Sequence, residues 1–134
     1  MHRLEQRLNA AVLDALRAAG YRGLSPSHIG FLDQMGVGCR MGELAARLGV
    51  TRPAVSQLAD QLQALGLVER TRDPADGRAV VVVPTAAVRR GWPIARAAVD
   101  RVEGRWRSEL GERRFRALTD SVSRLVALEE RDQD

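Results

Sequence analysis

Residues 40–84 constrain the fold most, because glycines and turn residues divide this stretch into four short elements. Residues 40–48 form an amphipathic segment that ends at Gly49. Thr51 can cap a second helix, which ends at Gly66. Two short helices joined by a tight glycine-containing connection predict a helix-turn-helix.

The residues after these helices predict a β-hairpin. Residues 67–71 form a predicted strand, 73–77 a predicted turn with the sequence DPADG, and 78–83 a β-branched strand. The four valines at 80–83 are apolar on both faces, so one face is expected to pack against the helices. The whole stretch therefore predicts a winged helix-turn-helix, with the hairpin as the wing.

Amphipathic segments on both sides of this unit predict further helices. They cover residues 3–19, 26–35, 85–110 and 112–130. Inside the third of them, Pro93 predicts either a kink or a start delayed to Trp92. The predicted fold class is mainly α with a small β-hairpin wing, in one domain over residues 1–134.

All 21 basic residues are arginines, and the formal net charge is +4. The planar guanidinium suits phosphates and base edges, which favours nucleic acid as a partner, but a GC-rich coding bias also replaces lysine with arginine. Residues 40–91 contain eight arginines and five acids. A positive surface is expected there.

Sites other than a nucleic-acid surface find little support in the sequence. The lone Cys39 cannot form an internal disulfide, and with no apolar run of membrane-spanning length a cytoplasmic protein is expected. His2 and His28 lack further ligands at metal spacing, so no metal or other cofactor is predicted. Neither a nucleophile with a neighbouring base nor a phosphate-binding glycine loop is present, so no enzyme is predicted.

The helix that begins at Thr51 carries polar residues on the side opposite its apolar stripe of Val55, Leu58, Leu62 and Leu65. Arginine and glutamine side chains and a helix N-terminus suit base edges and phosphates. The candidate DNA contacts on this helix are Thr51, Arg52, Pro53, Ser56 and Gln57. The alternative is a solvated face without a partner.

The wing adds a second set of candidates, in which Asp73, Asp76 and Gly77 set the turn and arginines flank it. The candidates for DNA contact here are Arg40, Arg72, Asp76 and Arg78. The alternative is a surface ion pair, Asp76 with Arg78 or Asp73 with Arg72, and the two roles can coexist.

The segment GELAARLGVTRPAVSQLADQLQALGLVERTRDPADGRAVVVVPT resembles the MarR (multiple antibiotic resistance regulator) family. The resemblance rests on Glu43-Leu44-Ala45, on the Ser/Thr-rich helix start at 51–56, on the leucine-then-Gly-Leu-Val-x-Arg exit at 62–70 and on the D-P-x-D-x-R wing at 73–78. It covers roughly residues 25–130, with specific motifs only between 42 and 85.

Two departures from the family pattern stand out. Gln61 occupies a position that is often basic, and Val88 replaces a glycine after the second wing strand. The sequence Gly-Trp-Pro at 91–93 then follows, so the start of the long helix is expected to be rebuilt.

The resemblance implies a homodimer that binds double-stranded DNA and represses transcription until a small effector binds. Residues 1–24 and 92–134 would form dimerisation helices around a reading head of residues 25–91. The expected dimer contacts are Leu4, Leu8, Val12, Phe115, Leu118, Val122 and Leu125. The expected effector is a small aromatic or anionic molecule in a pocket lined by Tyr21, Arg22, His28, Phe31 and Trp92.

Two alternatives from other classes stay open. A winged helix can bind protein rather than DNA, which would leave no salt-dependent affinity for DNA. A thiol-based redox sensor would require Cys39 to have a depressed pKa.

Overall fold

The computed structural model describes residues 1–132 and consists mainly of helices. The helices are α1 His2–Ala18, α2 Pro26–Met35, α3 Met41–Leu48, α4 Arg52–Ala64, α5 Ala86–Leu110 and α6 Glu112–Arg131. The strands are β1 Cys39–Arg40, β2 Val68–Arg72 and β3 Val80–Pro84. The predicted fold class, mainly α with a small β wing, is confirmed.

Local sequence signals explain where α2 and α4 begin. The Ser25 hydroxyl accepts from the His28 amide, and the His28 ring accepts from the Ser25 amide, which forms a capping box ahead of Pro26. Thr51 caps α4, because its hydroxyl accepts from the Ala54 amide at 3.2 Å. Free amides at both helix starts are therefore satisfied by side chains.

The sheet has three strands rather than the two of the predicted hairpin. β3 lies between β1 and β2, antiparallel to both, with Val82 paired to Cys39 on one side and to Arg70 on the other. The expectation that 40–48 is wholly helical was wrong for Arg40, which belongs to β1. A two-residue strand has no periodicity of its own, so the pattern could not reveal it. Its presence places the valine-rich β3 at the centre of the sheet.

Helix α5 runs without interruption from Ala86, so the expected delay of its start to Trp92 was wrong. The Gly-Trp-Pro segment instead serves packing. Gly91 is buried, and a Cβ atom there would lie 3.3 Å from side-chain atoms of Leu16 and Tyr21. The Tyr21 hydroxyl also donates to the Ala87 carbonyl at 2.7 Å. Glycine therefore lets α1 and the residues after it approach the α5 backbone closely.

The chain divides into two compact units, Met1–Ala98 and a second that begins at Val99. The first unit contains the helix-turn-helix, the sheet and a core whose largest fully buried side chains are Phe31, Met35, Leu44, Leu62, Val55, Val68 and Val82. The second unit contains the end of α5 and all of α6 that the structure describes. Over residues 1–132 no helix is both long and apolar enough to cross a membrane.

The apolar stripe expected on α4 is partly corrected. Val55 and Leu62 are buried as expected, but Ala59 is buried as well and Leu65 is 41% exposed. Leu65 is the C-cap residue of α4 and still donates its amide to the Gln61 carbonyl, so it lies on the helix at the exposed end of the stripe.

Candidate nucleic-acid interface

Helix α4 presents a polar, accessible N-terminal turn. Arg52, Pro53 and Gln57 are exposed, whereas Ser56 is half-buried. Thr51 is exposed too, but its hydroxyl is engaged in the helix cap. The exposed side chains thus stand next to the positive end of a 13-residue helix, a place that attracts anions.

Three predicted DNA contacts are exposed arginines that the folded chain leaves uncommitted. The side chains of Arg52 on α4, Arg72 at the end of β2 and Arg78 in the wing make no hydrogen bond or ion pair with any residue in 1–132. Arg47 and Arg89 of the same unit behave differently, because each donates to a backbone carbonyl. The uncommitted guanidinium groups retain all their donors for an external partner.

The wing turn is held by its two aspartates. The Asp73 carboxylate accepts from the Ala75 amide at 2.9 Å, and the Asp76 carboxylate accepts from the Arg78 amide at 3.1 Å. The Asp73 amide donates to the Ala79 carbonyl across the base of the turn. Asp73 and Asp76 therefore shape the loop as expected, through side chain to backbone bonds.

Arg40 fastens the wing to β1. Its Nε donates to Asp73 Oδ2 at 2.6 Å, and its Nη2 contacts the same oxygen. The pKa of Asp73 is lowered by the Ala75 amide and by Arg40, and the same ion pair raises the pKa of Arg40. The carboxylate that was considered for Arg72 is thus occupied by Arg40, and the Asp76 carboxylate bonds the backbone of Arg78.

Sequence reasoning missed Arg70, which joins the wing to α4. Its Nη1 donates to Asp60 at 2.6 Å and to Gln63 at 3.0 Å. Its Nη2 donates to the Ser56 carbonyl at 3.0 Å and to the Ser56 hydroxyl at 3.2 Å. The sequence did contain a signal for this contact. Ser56, Asp60 and Gln63 are spaced to share one face of a helix, and Arg70 lies two residues after the buried Val68, on the same face of the strand.

Cys39 is buried in β1, 3.9 Å from a carboxylate oxygen of Glu43. Burial raises the pKa of the thiol, and the lowering effect of Arg47 is smaller. A peroxide-sensing thiol is favoured by the opposite shift and by exposure, so neither observation supports the thiol-sensor alternative.

The predicted effector residues have different surroundings within the first unit. Phe31 is fully buried in the core. His28 is buried, and its Nε2 lies 2.7 Å from Gln61 Oε1. Tyr21 is tied to α5, whereas Arg22 and Trp92 are exposed.

The residues predicted to form dimer contacts also differ in burial. Val12 is buried in the first unit and Phe115, under the Arg107 guanidinium, is buried too. Leu8 and Val122 are half-buried. The large apolar residues that remain exposed include Leu4 on α1 and Leu118, Leu125, Val126 and Leu128 on α6.

Comparisons with known proteins agree with this architecture. A sequence model described as MarR family matches residues 6–79. The uncharacterized HTH-type transcriptional regulator YcgE of Bacillus subtilis (strain 168) is 38% identical over 72 residues, which cover 52% of this chain and 47% of that protein. The match thus spans about half the length of this curated relative.

Two solved structures are similar over most of the chain. A MarR-family transcriptional regulator from Rhodococcus sp. RHA1 is 26% identical with a TM-score of 0.70, covering 92% of this chain and 87% of that one. The transcriptional repressor CouR, bound to a 23-mer DNA duplex, is 26% identical with a TM-score of 0.69, covering 93% and 88%. The wing and the helix-turn-helix thus occur together in structurally similar regulators.

Proposed function

The chain belongs to the MarR family, and from that premise we propose that it is a homodimeric repressor of transcription that binds a pseudo-palindromic DNA site and is released by a small effector. In this proposal α4 is the recognition helix and enters the major groove. The wing, from β2 to β3, contacts the flanking backbone or minor groove. Two copies would place their recognition helices about one helical turn apart, roughly 34 Å.

The observation that carries the DNA-binding part is the distribution of free arginines. Arg52, Arg72 and Arg78 are exposed and uncommitted within the described chain, and they lie on α4 and on the wing. A structural role would tie a guanidinium to carbonyls or carboxylates, as happens at Arg40 and Arg70. Gln57, exposed one turn into α4, adds a side chain that can pair with adenine.

The dimer part rests on α6. Leu118, Leu125 and Leu128 are 44–54% exposed. They recur on an amphipathic helix, so they form a stripe rather than isolated surface residues. A second copy of this chain would cover the stripe and would also give the twofold symmetry that a pseudo-palindromic site requires.

The effector part rests on the surroundings of Tyr21. Its hydroxyl holds Ala87 of α5, and its neighbour in sequence, Arg22, is exposed without a partner in the described chain. Trp92 of α5 is 39% exposed. A guanidinium and an indole match a small aromatic acid, for which benzoate is a simple probe. Thermal-shift titration should show stabilisation that Arg22→Ala and Trp92→Ala both abolish; equal shifts in all three proteins would dismiss this site.

The decisive experiment is selection of bound sequences from a random duplex pool, followed by titration of the best duplex at two salt concentrations. Enrichment of an inverted repeat with half-sites about one turn apart, together with a steep salt dependence, would support the proposal. No enrichment would favour a winged helix that binds protein instead.

Two variants assign the contacts. Arg78→Ala should weaken binding to all duplexes and flatten the salt slope by about one, whereas Gln57→Ala should relax preference at one base pair at a cost of about 1–3 kcal/mol. Arg113→Ala is the matched charge control, because Arg113 is an exposed arginine of α6, outside the proposed interface. If Arg113→Ala reproduces the effect of Arg78→Ala, only net charge matters and the wing contact is wrong.

A further inference from the structure

The side chain of Ser56 has an unusual position for a serine within a helix. Serine hydroxyls in helices commonly donate to the carbonyl four residues earlier. Ser108 and Ser121 do so here, at 2.9 Å and 2.7 Å. Within residues 1–132, the Ser56 hydroxyl makes a single side-chain hydrogen bond, and it comes from Arg70.

That bond fixes the direction of donation. A guanidinium carries only donors, so the Ser56 oxygen must accept. The hydroxyl proton therefore points away from Arg70, and no carbonyl of the described chain takes it. Accepting a bond from a charged donor also polarises the O–H group, which makes it a stronger donor and a weaker acceptor.

Arg70 is itself held firmly enough to impose this arrangement. It donates to the Asp60 and Gln63 side chains and to the Ser56 carbonyl, so its plane is fixed by three partners besides the hydroxyl. Its side chain is 26% exposed, and β2 carries it on the same side as the buried Val68. Arg70 of β2 thus determines the orientation of the Ser56 hydroxyl on α4.

We propose that Arg70 sets Ser56 as a hydrogen-bond donor toward DNA, so that this position of α4 selects an acceptor on the duplex and discriminates against amino groups. The inference rests on the DNA-binding function proposed above. In the major groove the acceptors are purine N7, guanine O6 and thymine O4, whereas the amino groups belong to adenine and cytosine. A phosphate oxygen has the same acceptor chemistry, and the experiment separates the two sources.

The test uses the full-length protein and the duplex obtained by selection. Ser56→Ala should weaken binding about fivefold, the value of one hydrogen bond. Replacement of one purine by its 7-deaza analogue, or of one carbonyl base by an analogue that lacks the oxygen, should weaken the wild type equally and leave Ser56→Ala unaffected. The same pattern on a single methylphosphonate would place the acceptor on the backbone. A matched loss on removal of an amino group, or no matched loss at any position, would overturn the proposal.

Arg70 is tested as a positioning residue by a double-mutant cycle. In an Arg70→Met background, Ser56→Ala should have less than half of its wild-type effect on discrimination at the matched position. Asp60→Ala is the control, because it removes an ion pair of Arg70 and leaves both bonds to Ser56; there the effect of Ser56→Ala should persist. Equal effects of Ser56→Ala in all three backgrounds would show that Arg70 only braces the fold.

Circular dichroism and the selection of duplexes distinguish a failure of folding or of DNA binding from a failure of the role proposed for Ser56. If Arg70→Met does not fold by circular dichroism, the base-analogue series on the wild type and Ser56→Ala still decides whether Ser56 donates. If the wild type enriches no duplex at all, the proposed function fails. If the wild type binds but the analogue series shows no matched loss, only the role of Ser56 fails.

Discussion

The first unit contains a closed apolar core, whereas the apolar stripe on α6 of the second unit is largely exposed. In the first, Phe31 and Leu62 are completely buried and Met35 is 1% exposed. In the second, Leu125 is 54% exposed although it lies on a strongly amphipathic helix. Burial of apolar surface provides about 25 cal/mol per Å². Burial therefore stabilises the core of the first unit, whereas the stripe on α6 gains little of this stabilisation within the described residues.

Within the first unit, the arginine side chains differ in whether they have a partner in the chain. Arg40 donates to Asp73 of the wing and Arg70 donates to α4, so the donors of these two guanidinium groups have partners within the chain. Arg52, Arg72 and Arg78 keep theirs on the same surface, with no partner in the described chain. Exposed arginines on a hydrogen-bonded wing and helix suit recognition of a polyanion, whereas an exposed apolar stripe suits a second copy of the chain.

The largest expected effect comes from truncating leucines in the two units. Leu62→Ala should cost about 2–5 kcal/mol of unfolding free energy, because it empties a site in a closed core. Leu125→Ala is the matched variant on the exposed stripe, and its cost should grow with protein concentration through loss of dimer contacts. Urea unfolding at two concentrations distinguishes them. A concentration-independent loss of similar size in both would mean that α6 is packed within its own chain.

The second prediction concerns the oligomer. Leu118→Glu combined with Val122→Glu should convert the dimer to monomer, since charges would be buried without partners at the interface. Ser123→Glu combined with Ala127→Glu adds the same charge on the opposite side of α6, where both residues are exposed. Sedimentation velocity reports the state of each. The idea fails if the control dissociates as fully as the test variant.

Much of the fold follows from local signals in the sequence. Thr51 and Pro53 mark the start of α4, Ser25 and Pro26 that of α2, and DPADG marks the wing turn. In each case residues within one turn of each other satisfy the bonds concerned. Such local signals can be recognised in the sequence without knowledge of the tertiary structure.

The parts that could not be predicted depend on distant partners. The short β1 exists because Cys39 and Arg40 pair with β3, about forty residues away. The partner of Arg40 is Asp73, thirty-three residues later in the chain, and the partners of Arg70 lie on α4. Periodicity gives the face on which a side chain lies, but it does not give its partner.

Two glycines of α5, one in each unit, differ in the space available for a side chain. Gly104→Ala should stabilise the protein by about 0.5–1 kcal/mol, because alanine favours the helix and the new Cβ meets no atom within 4 Å. Gly91→Ala is the same change in the first unit, where the Cβ would press on Leu16 and Tyr21 at 3.3 Å. It should lower the melting temperature. Equal stabilisation by both would contradict the close packing assigned to Gly91.

The smallest expected effect tests how the ion pair of Arg40 and Asp73 holds the wing turn to β1. The lowered pKa of Asp73 means that its ionised form is favoured by folding, so its contribution to stability is present above the ordinary value of 3.8 and is lost only as the pH falls below it. Carbon-detected NMR titration of the carboxyl group should show this.

In Arg40→Ala the pKa of Asp73 should rise only part of the way, because the Ala75 amide remains as its strongest partner. Protection of the Ala75 amide, relative to its intrinsic exchange rate at each pH, should then be lost at a higher pH than in the wild type. An unchanged titration in Arg40→Ala would show that the wing closes without its link to β1.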